Sequence, residues 1–110
     1  MKIPGASRAL IDPPKLEEYS RSLEHPRGRH KARVFQSALN VSIRNVAELE
    51  MRIREAINEE ECTLGENDSF GERYTLDFHW ARQGRTATVR TTWIVRTGED
   101  FPRLTSCYVL

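Results

Sequence analysis

Residues 25–35 concentrate the side chains of this chain that best suit phosphate chemistry. Four cationic side chains and two imidazoles lie within these eleven residues, and no acidic residue interrupts them. An imidazole can exchange a proton near neutral pH, and a guanidinium can bind two phosphate oxygens at once. His30 and Lys31 are therefore the candidates for a general base or acid at a phosphate. The plain alternative is a basic turn that faces water.

The same segment lies where a predicted loop meets a predicted helix. Pro26 and Gly28 favour a loop, and apolar residues then recur at helical spacing over residues 34–39. A helix that begins near Arg29 presents free N–H groups and the positive end of its dipole, which together favour a bound anion. The candidate phosphate-binding residues are Arg27, Arg29, Arg33 and, near the end of the chain, Arg103.

Length and composition limit the classes of function. With 110 residues, the chain is predicted to form a single domain over residues 1–110, with an extended arm at residues 1–8. The hydrophobic content of 38% and the charged content of 30% indicate a soluble globular protein. The net charge is +1 at pH 7, so attraction to nucleic acid must come from a local basic patch.

Several kinds of site have no support in the sequence. Cys62 and Cys107 lie far apart and form no metal-binding pair, so we interpret both as reduced thiols of a cytoplasmic protein. The chain has no nucleotide-binding glycine motif, no nucleophile elbow and no metal-ligand spacing, so we expect neither metal nor cofactor. The N-terminus lacks the apolar run of a signal peptide, and no segment has the apolar length of a membrane span.

The hydrophobic period changes near residue 60, from intervals of three and four to strict alternation. The predicted helices lie near 13–23, 29–39 and 43–58. The predicted strands lie near 72–82, 86–96 and 103–109, with a further first strand at 62–64. The predicted fold class is α+β, with about three N-terminal helices packed on one face of a three- to four-stranded antiparallel meander sheet. The residues expected in the core are Leu49, Ile53, Phe78, Trp80, Val89 and Trp93.

Each predicted strand has an apolar register, which should face the helices, and a polar register on the opposite face. The polar register contains Asp77, His79, Arg90, Thr92, Arg103 and Thr105, whereas Tyr108 falls in the apolar one. Neighbouring antiparallel strands bring such side chains within reach of one another. The polar residues therefore form either one functional patch or an ordinary solvated face.

Three segments taken together resemble a small bacterial domain family of uncharacterised function. They are HPRGRHKARVF at residues 25–35, GERY at residues 71–74 and WIVRTGEDFPRLTSCY at residues 93–108. The family is associated with standalone proteins and with the C-terminal regions of polymorphic toxins. The resemblance covers almost the whole chain, and it implies a cognate antitoxin or immunity-type partner.

A second resemblance is to the barnase–EndoU–colicin–RelE group of small ribonucleases, in which N-terminal helices precede a four-stranded antiparallel sheet. Sites in that group combine a His or Lys with an Arg and with a Thr, Ser or Tyr on the sheet. The residues that this resemblance implies as catalytic are His30, Lys31, Arg90, Thr105 and Tyr108. The group has no strict sequence signature, and a shared fold does not by itself establish activity.

These observations predict a metal-independent ribonuclease-like toxin, or a domain that binds RNA or phosphate, with the basic loop beside the sheet. Histidine would supply the acid and the base, and arginine would stabilise the charge on the phosphorane. The alternative is a non-catalytic interaction module, such as a toxin-system partner or an accessory protein. The expected partners are RNA and a cognate antitoxin or immunity-type protein, and no membrane.

Overall fold

An antiparallel sheet forms most of the regular structure. The computed structural model describes residues 1–12, 14, 16 and 45–110. Within these residues, a short 3-10 helix (Ala6–Arg8) precedes the main elements, which are α1 (Val46–Glu59), β1 (Thr63–Asp68), β2 (Gly71–Arg82), β3 (Arg85–Arg96) and β4 (Arg103–Val109). The strands lie side by side in chain order, so each strand pairs with its neighbours in sequence.

The predicted fold class needs correction in its helical layer. Over residues 45–110 the one α-helix is α1, which corresponds to the helix predicted near 43–58, and strand outweighs helix. The helices predicted near 13–23 and 29–39 fall almost entirely outside the described residues. The predicted fold class, with about three helices on the sheet, is corrected to a four-stranded antiparallel sheet, mostly strand, with one helix over residues 45–110.

The N-terminal arm, which continues to Ile11, contributes buried side chains to the hydrophobic core. Ile3, Ala9 and Ile11 are buried in the same cluster as the apolar side of α1. Arg54 on α1 donates a hydrogen bond of 2.9 Å to the carbonyl of Ala9. Residues 3–11 therefore belong to the same hydrophobic core as α1 and the sheet.

Hydrogen bonds at both sides of the sheet hold the arm in place. The N–H of Cys62 donates to the carbonyl of Met1 (2.8 Å), just before β1. At the other side, the N–H of Leu10 donates to the carbonyl of Pro102 (2.8 Å), and Leu104 returns a bond to Leu10 (3.0 Å). The arm therefore runs from the start of β1 to β4, where it adds a short parallel bridge.

The register of β2 against β3 follows from the turn that joins them. Gln83 and Gly84 have φ angles of 50° and 75°, as required by the type I′ turns that suit two-residue hairpins. Pairing runs without interruption from Arg82 opposite Arg85 to Gly71 opposite Arg96. The strands predicted near 72–82, 86–96 and 103–109 agree with β2, β3 and β4 to within one residue.

The face of the sheet that packs on α1 contains the hydrophobic core. All six residues expected in the core are buried: Leu49, Ile53, Phe78, Trp80, Val89 and Trp93. The guanidinium of Arg52 lies 4.6 Å from the centre of the Phe78 ring and covers the edge of this core. The prediction of the core is confirmed because both hydrophobic periods point to the same interface.

A bulge in β4 changes which face the end of the chain presents. Thr92 pairs with Ser106, but the next residue of β3, Trp93, pairs with Leu104, so Thr105 is an extra residue. The side chains of Leu104 and Cys107 are consequently both buried, three positions apart. The prediction that Tyr108 follows the apolar register is wrong, because the bulge turns it to the opposite face.

Candidate functional site

The sheet face opposite α1, called here the polar face, brings together several of the predicted site residues. Its described central members are Thr75, Asp77, Arg90, Thr92, Ser106 and Tyr108. Of the predicted catalytic residues, Arg90, Thr105 and Tyr108 lie on the neighbouring strands β3 and β4. The candidates His30, Lys31, Arg27, Arg29 and Arg33 lie outside the described residues.

Arg90 occupies the middle of the polar face and is held by a carboxylate. Asp77 lies directly opposite it on β2, and Tyr108 lies directly opposite it on β4. The Nε and Nη2 atoms of Arg90 each donate a hydrogen bond of 2.9 Å to the two carboxylate oxygens of Asp77. These bonds, with a smaller contribution from Tyr108, raise the pKa of Arg90, so the guanidinium stays charged.

The Arg90–Asp77 pair remains within reach of a ligand. The Arg90 side chain is 37% exposed and the Asp77 side chain 35%. A shallow depression beside the pair has a volume of about 370 Å³. Its lining residues are Glu61, Thr63, Thr75, Asp77 and Arg90. An anion could therefore approach the guanidinium without displacing any core residue.

Hydroxyl groups cross the sheet next to this pair. Thr75, Thr92 and Ser106 follow one another across β2, β3 and β4. The Oγ1 atoms of Thr92 and Thr105 lie 2.7 Å apart, since Thr105 is the extra residue of the bulge, next to Ser106, which pairs with Thr92. Thr92 also hydrogen-bonds to the hydroxyl of Ser106. Such hydroxyls can donate to a phosphate oxygen or accept from a ribose hydroxyl.

Arg103, a candidate phosphate-binding residue, is also paired with an acid. Its Nε and Nη2 atoms donate to the Glu99 carboxylate at 2.9 and 2.7 Å. Its guanidinium lies 5.2 Å from the centre of the Phe101 ring. The hydrogen bond from Arg103 lowers the pKa of Glu99, so that carboxylate stays ionised. A phosphate at Arg103 would therefore compete with a bound carboxylate.

The remaining candidates near the strands have structural partners. The Nδ1 atom of His79 lies 2.9 Å from the Thr88 hydroxyl, at an exposed position near the β2–β3 turn. Tyr74 and Trp80 are buried, so neither offers a ring for a base to stack on. Burial, together with the hydrogen bond that its hydroxyl donates to Glu72 (2.8 Å), raises the pKa of Tyr74 to about 12.

Sequence reasoning placed Asp77 on the polar register but assigned it no part in the site. The signal that identifies it is the two-residue turn at Gln83 and Gly84. Asp77 and Arg90 lie at equal distances along the chain from that turn, so an uninterrupted hairpin must place them opposite each other. The pairing of Asp77 with Arg90 could therefore be predicted from the hairpin register once the type of turn was known.

Two further properties concern the described residues as a group. Residues 1–12, 14, 16 and 45–110 contain no cluster of three or more His, Cys, Asp or Glu side chains arranged to hold a metal ion. No helix in that part of the chain has the length and apolar character needed to cross a membrane. Cys62 and Cys107 are both buried, and they form no disulfide.

The sequence of the chain matches a family model from residue 2 to residue 110. The chain belongs to the family described as "Domain of unknown function (DUF6883)". The expected membership of an uncharacterised domain family is thus confirmed. The resemblance of this DUF6883 chain to the barnase–EndoU–colicin–RelE group remains a prediction. A comparison with curated protein sequences finds no match.

One solved structure with a similar fold comes from a contact-dependent growth inhibition toxin–immunity protein complex of Klebsiella pneumoniae 342. The TM-score is 0.70, and the match covers 91% of the DUF6883 chain and 98% of the chain from the complex. The two sequences are 12% identical, so the likeness shows a shared fold.

Proposed function

We propose that this chain is a component of a toxin–immunity system and that its polar face binds and cleaves RNA. The observation that carries the proposal is the convergence of Arg90, Tyr108 and Thr105 on two neighbouring strands. The β4 bulge produces this arrangement by turning Tyr108 towards Arg90. The fold shared with a chain of a growth-inhibition toxin–immunity complex supports the biological setting.

The chemistry of these side chains suits a phosphodiester. Cleavage through the ribose 2′-hydroxyl needs a base, an acid and fixed positive charge near the phosphorus. Arg90 supplies the charge, and the hydroxyl of Tyr108 or Thr105 can donate to a phosphate oxygen. His30 and Lys31 remain the proposed base and acid, on the strength of the sequence. Arg27, Arg29, Arg33 and Arg103 remain the proposed phosphate contacts.

An immunity-type protein is the proposed partner. A toxin that cleaves RNA must be held inactive where it is made, and the direct way is to cover the residues that contact the phosphate. The polar face is a broad, half-exposed surface of arginine, tyrosine and hydroxyl groups. Arginine and tyrosine are enriched among residues that dominate protein–protein binding energies. We therefore expect RNA and the neutralising protein to compete for Arg90.

A second function, a non-catalytic interaction module, is favoured by one specific observation. Arg90 and Arg103 each donate two hydrogen bonds to a carboxylate, from Asp77 and Glu99 respectively. Each pair is nearly neutral, which weakens the attraction of this face for a polyanion. A protein partner would tolerate such pairs more readily than RNA would, because protein surfaces offer both charges.

The test is cleavage of total RNA by the purified chain in EDTA, with His30→Ala and Tyr108→Phe as variants. We expect the wild-type chain to cleave, His30→Ala to lose cleavage with an unchanged melting temperature, and Tyr108→Phe to slow it. Arg8→Ala is the matched control, since Arg8 pairs with Asp100 away from the polar face. Absence of cleavage with retained, salt-sensitive RNA binding would favour a binding module. Absence of both cleavage and binding would show that RNA is neither a substrate nor a ligand of this chain.

A further inference from the structure

We propose that Asp77 is a positioning residue that fixes the orientation of Arg90 and limits the attraction of the polar face for phosphate. The inference rests on the proposed function, because the ligand concerned is the phosphate of RNA. Asp77 has no proton-transfer role in this scheme. It acts through the guanidinium that it holds.

Asp77 binds one edge of the Arg90 guanidinium, and Tyr108 also hydrogen-bonds to this side chain. A guanidinium carries five N–H donors in one plane. Asp77 occupies the side formed by Nε and Nη2, with both hydrogen bonds at 2.9 Å. The donors of the other edge, at Nη1 and Nη2, point away from this carboxylate. We expect a phosphate to bind at that edge, beside the Tyr108 hydroxyl.

The surroundings of the pair make the orientation specific. Asp77 and Arg90 are directly opposite on β2 and β3, the longest uninterrupted pairing in the sheet. Tyr108 flanks Arg90 from β4, so the guanidinium has a neighbour on each side. The two hydrogen bonds that Arg90 donates to the Asp77 carboxylate restrict the rotation of the arginine side chain before a ligand arrives. This ordering should favour catalysis, because the rotational entropy of the Arg90 side chain is lost before RNA binds.

The Asp77 carboxylate also offsets the positive charge of the Arg90 guanidinium that it positions. With Asp77 ionised, Arg90 contributes little net positive charge to the polar face at distances beyond contact. Removal of the negative charge should therefore strengthen the attraction for RNA while it loosens the guanidinium. A residue that served only the fold would not change binding and turnover in opposite directions.

Asp77→Asn tests both consequences, since asparagine keeps the shape and one acceptor oxygen but carries no charge. In EDTA, with a fluorescent single-stranded RNA oligonucleotide, we expect KM to fall and kcat to fall roughly ten- to hundredfold. The plot of log affinity against log salt should steepen, by at most about 0.7, because Arg90 then neutralises its phosphate without the opposing Asp77 charge. Asp77→Glu keeps the charge and should retain the wild-type slope.

Asp100→Asn is the matched control. Asp100 accepts a hydrogen bond of 2.9 Å from Arg8, and the side chains of both are more than half exposed. This pair links the N-terminal arm to the loop before β4 and takes no part in the polar face. We expect Asp100→Asn to leave KM, kcat and the salt slope at wild-type values.

A measurement on the free protein separates this proposal from the proposed function. The Nε–H proton of Arg90 should exchange slowly with water in NMR spectra of the wild-type chain and rapidly in Asp77→Asn. Equal exchange in the two proteins would overturn the positioning role whatever the RNA assay shows. If the wild-type chain cleaves RNA and Asp77→Asn matches it in KM, kcat and slope, the Asp77 proposal fails and the proposed function stands. If the wild-type chain neither binds nor cleaves RNA, both fail.

Discussion

The indole Nε1 of Trp93 donates a hydrogen bond of 2.9 Å to the hydroxyl of Thr91, two residues earlier on β3. Thr91 donates in turn to the carbonyl of Leu76 on β2, at 2.8 Å. Both side chains are fully buried. The core therefore contains two consecutive buried hydrogen bonds, and each of them can be tested by mutation.

Thr91→Val should destabilise the protein. Valine preserves the shape but leaves the buried indole N–H without an acceptor, which costs about 1–3 kcal/mol. Thr86→Val is the control, because Thr86 is an exposed threonine of the same strand. Denaturant unfolding monitored by tryptophan fluorescence gives both values. Equal stability of the two variants would contradict the structural role of this hydrogen bond.

Trp93→Ala should cost about 3–5 kcal/mol, the range for removal of a large core aromatic side chain. Trp93 is fully buried, whereas Phe70 is 71% exposed in the turn between β1 and β2. Phe70→Ala is therefore the matched control and should change the free energy of unfolding little. A loss below about 1 kcal/mol for Trp93→Ala would show that the core does not depend on this ring.

Substitutions at Gly84 and Gly71 test the effects of backbone strain and of steric clash separately. Gly84 has φ of 75° and open space around its Cα, so Gly84→Ala should cost about 1–2 kcal/mol from backbone strain alone. Gly71 has φ of 148°, and an added Cβ would lie 2.2 Å from the Val95 carbonyl oxygen. Gly71→Ala should therefore be clearly more destabilising. Chemical denaturation that ranks the two variants in the reverse order would refute this reading of the hairpin.

Acid should weaken the loop that leads into β4. The hydrogen bond from Arg103 holds the pKa of Glu99 below its usual 4.5. A carboxyl group whose folded pKa is lowered stabilises the fold above its unfolded pKa and loses this contribution as pH falls through the folded value. The melting temperature should therefore fall below about pH 4.5, and Glu99→Gln should reduce that dependence. An unchanged pH profile in Glu99→Gln would show that the pair is not coupled to folding.

The parts of the fold that the sequence predicted correctly are those with strong local patterns. Alternation at Tyr74, Leu76, Phe78 and Trp80 identified β2, and the stripe through Leu49 and Ile53 identified α1. In both segments the apolar period alone determines which face is buried.

Two features were not predictable from alternation. The bulge at Thr105 inserts one residue into β4, and nothing in the composition of Thr105-Ser106 distinguishes a bulge from regular strand. The arm was expected to be extended, but burial of Ile3 depends on contacts with distant residues near Cys62. Sequence patterns report local conformation, whereas both features are fixed by packing across the sheet.

For the same reason, only part of the candidate site could be predicted from the sequence. The types of Arg90 and Thr105 were sufficient to select them, since both follow the polar register. Tyr108 was selected from a resemblance and assigned to the wrong face, because the bulge was not foreseen. The role of Asp77 required the register of the β2–β3 hairpin, which pairs residues thirteen positions apart.

The most direct test of the account is the initial rate of RNA cleavage in EDTA by Arg90→Ala, measured beside the wild-type chain and Arg8→Ala. Arg90 is the charged centre of the polar face, whereas Arg8 pairs with Asp100 at the arm. We predict that Arg90→Ala cleaves RNA about a hundredfold more slowly than the wild-type chain, or slower still, because it lacks a group that stabilises charge in the transition state. Arg8→Ala should match the wild-type rate. Cleavage by Arg90→Ala at the wild-type rate would contradict the claim that the polar face is the site of reaction.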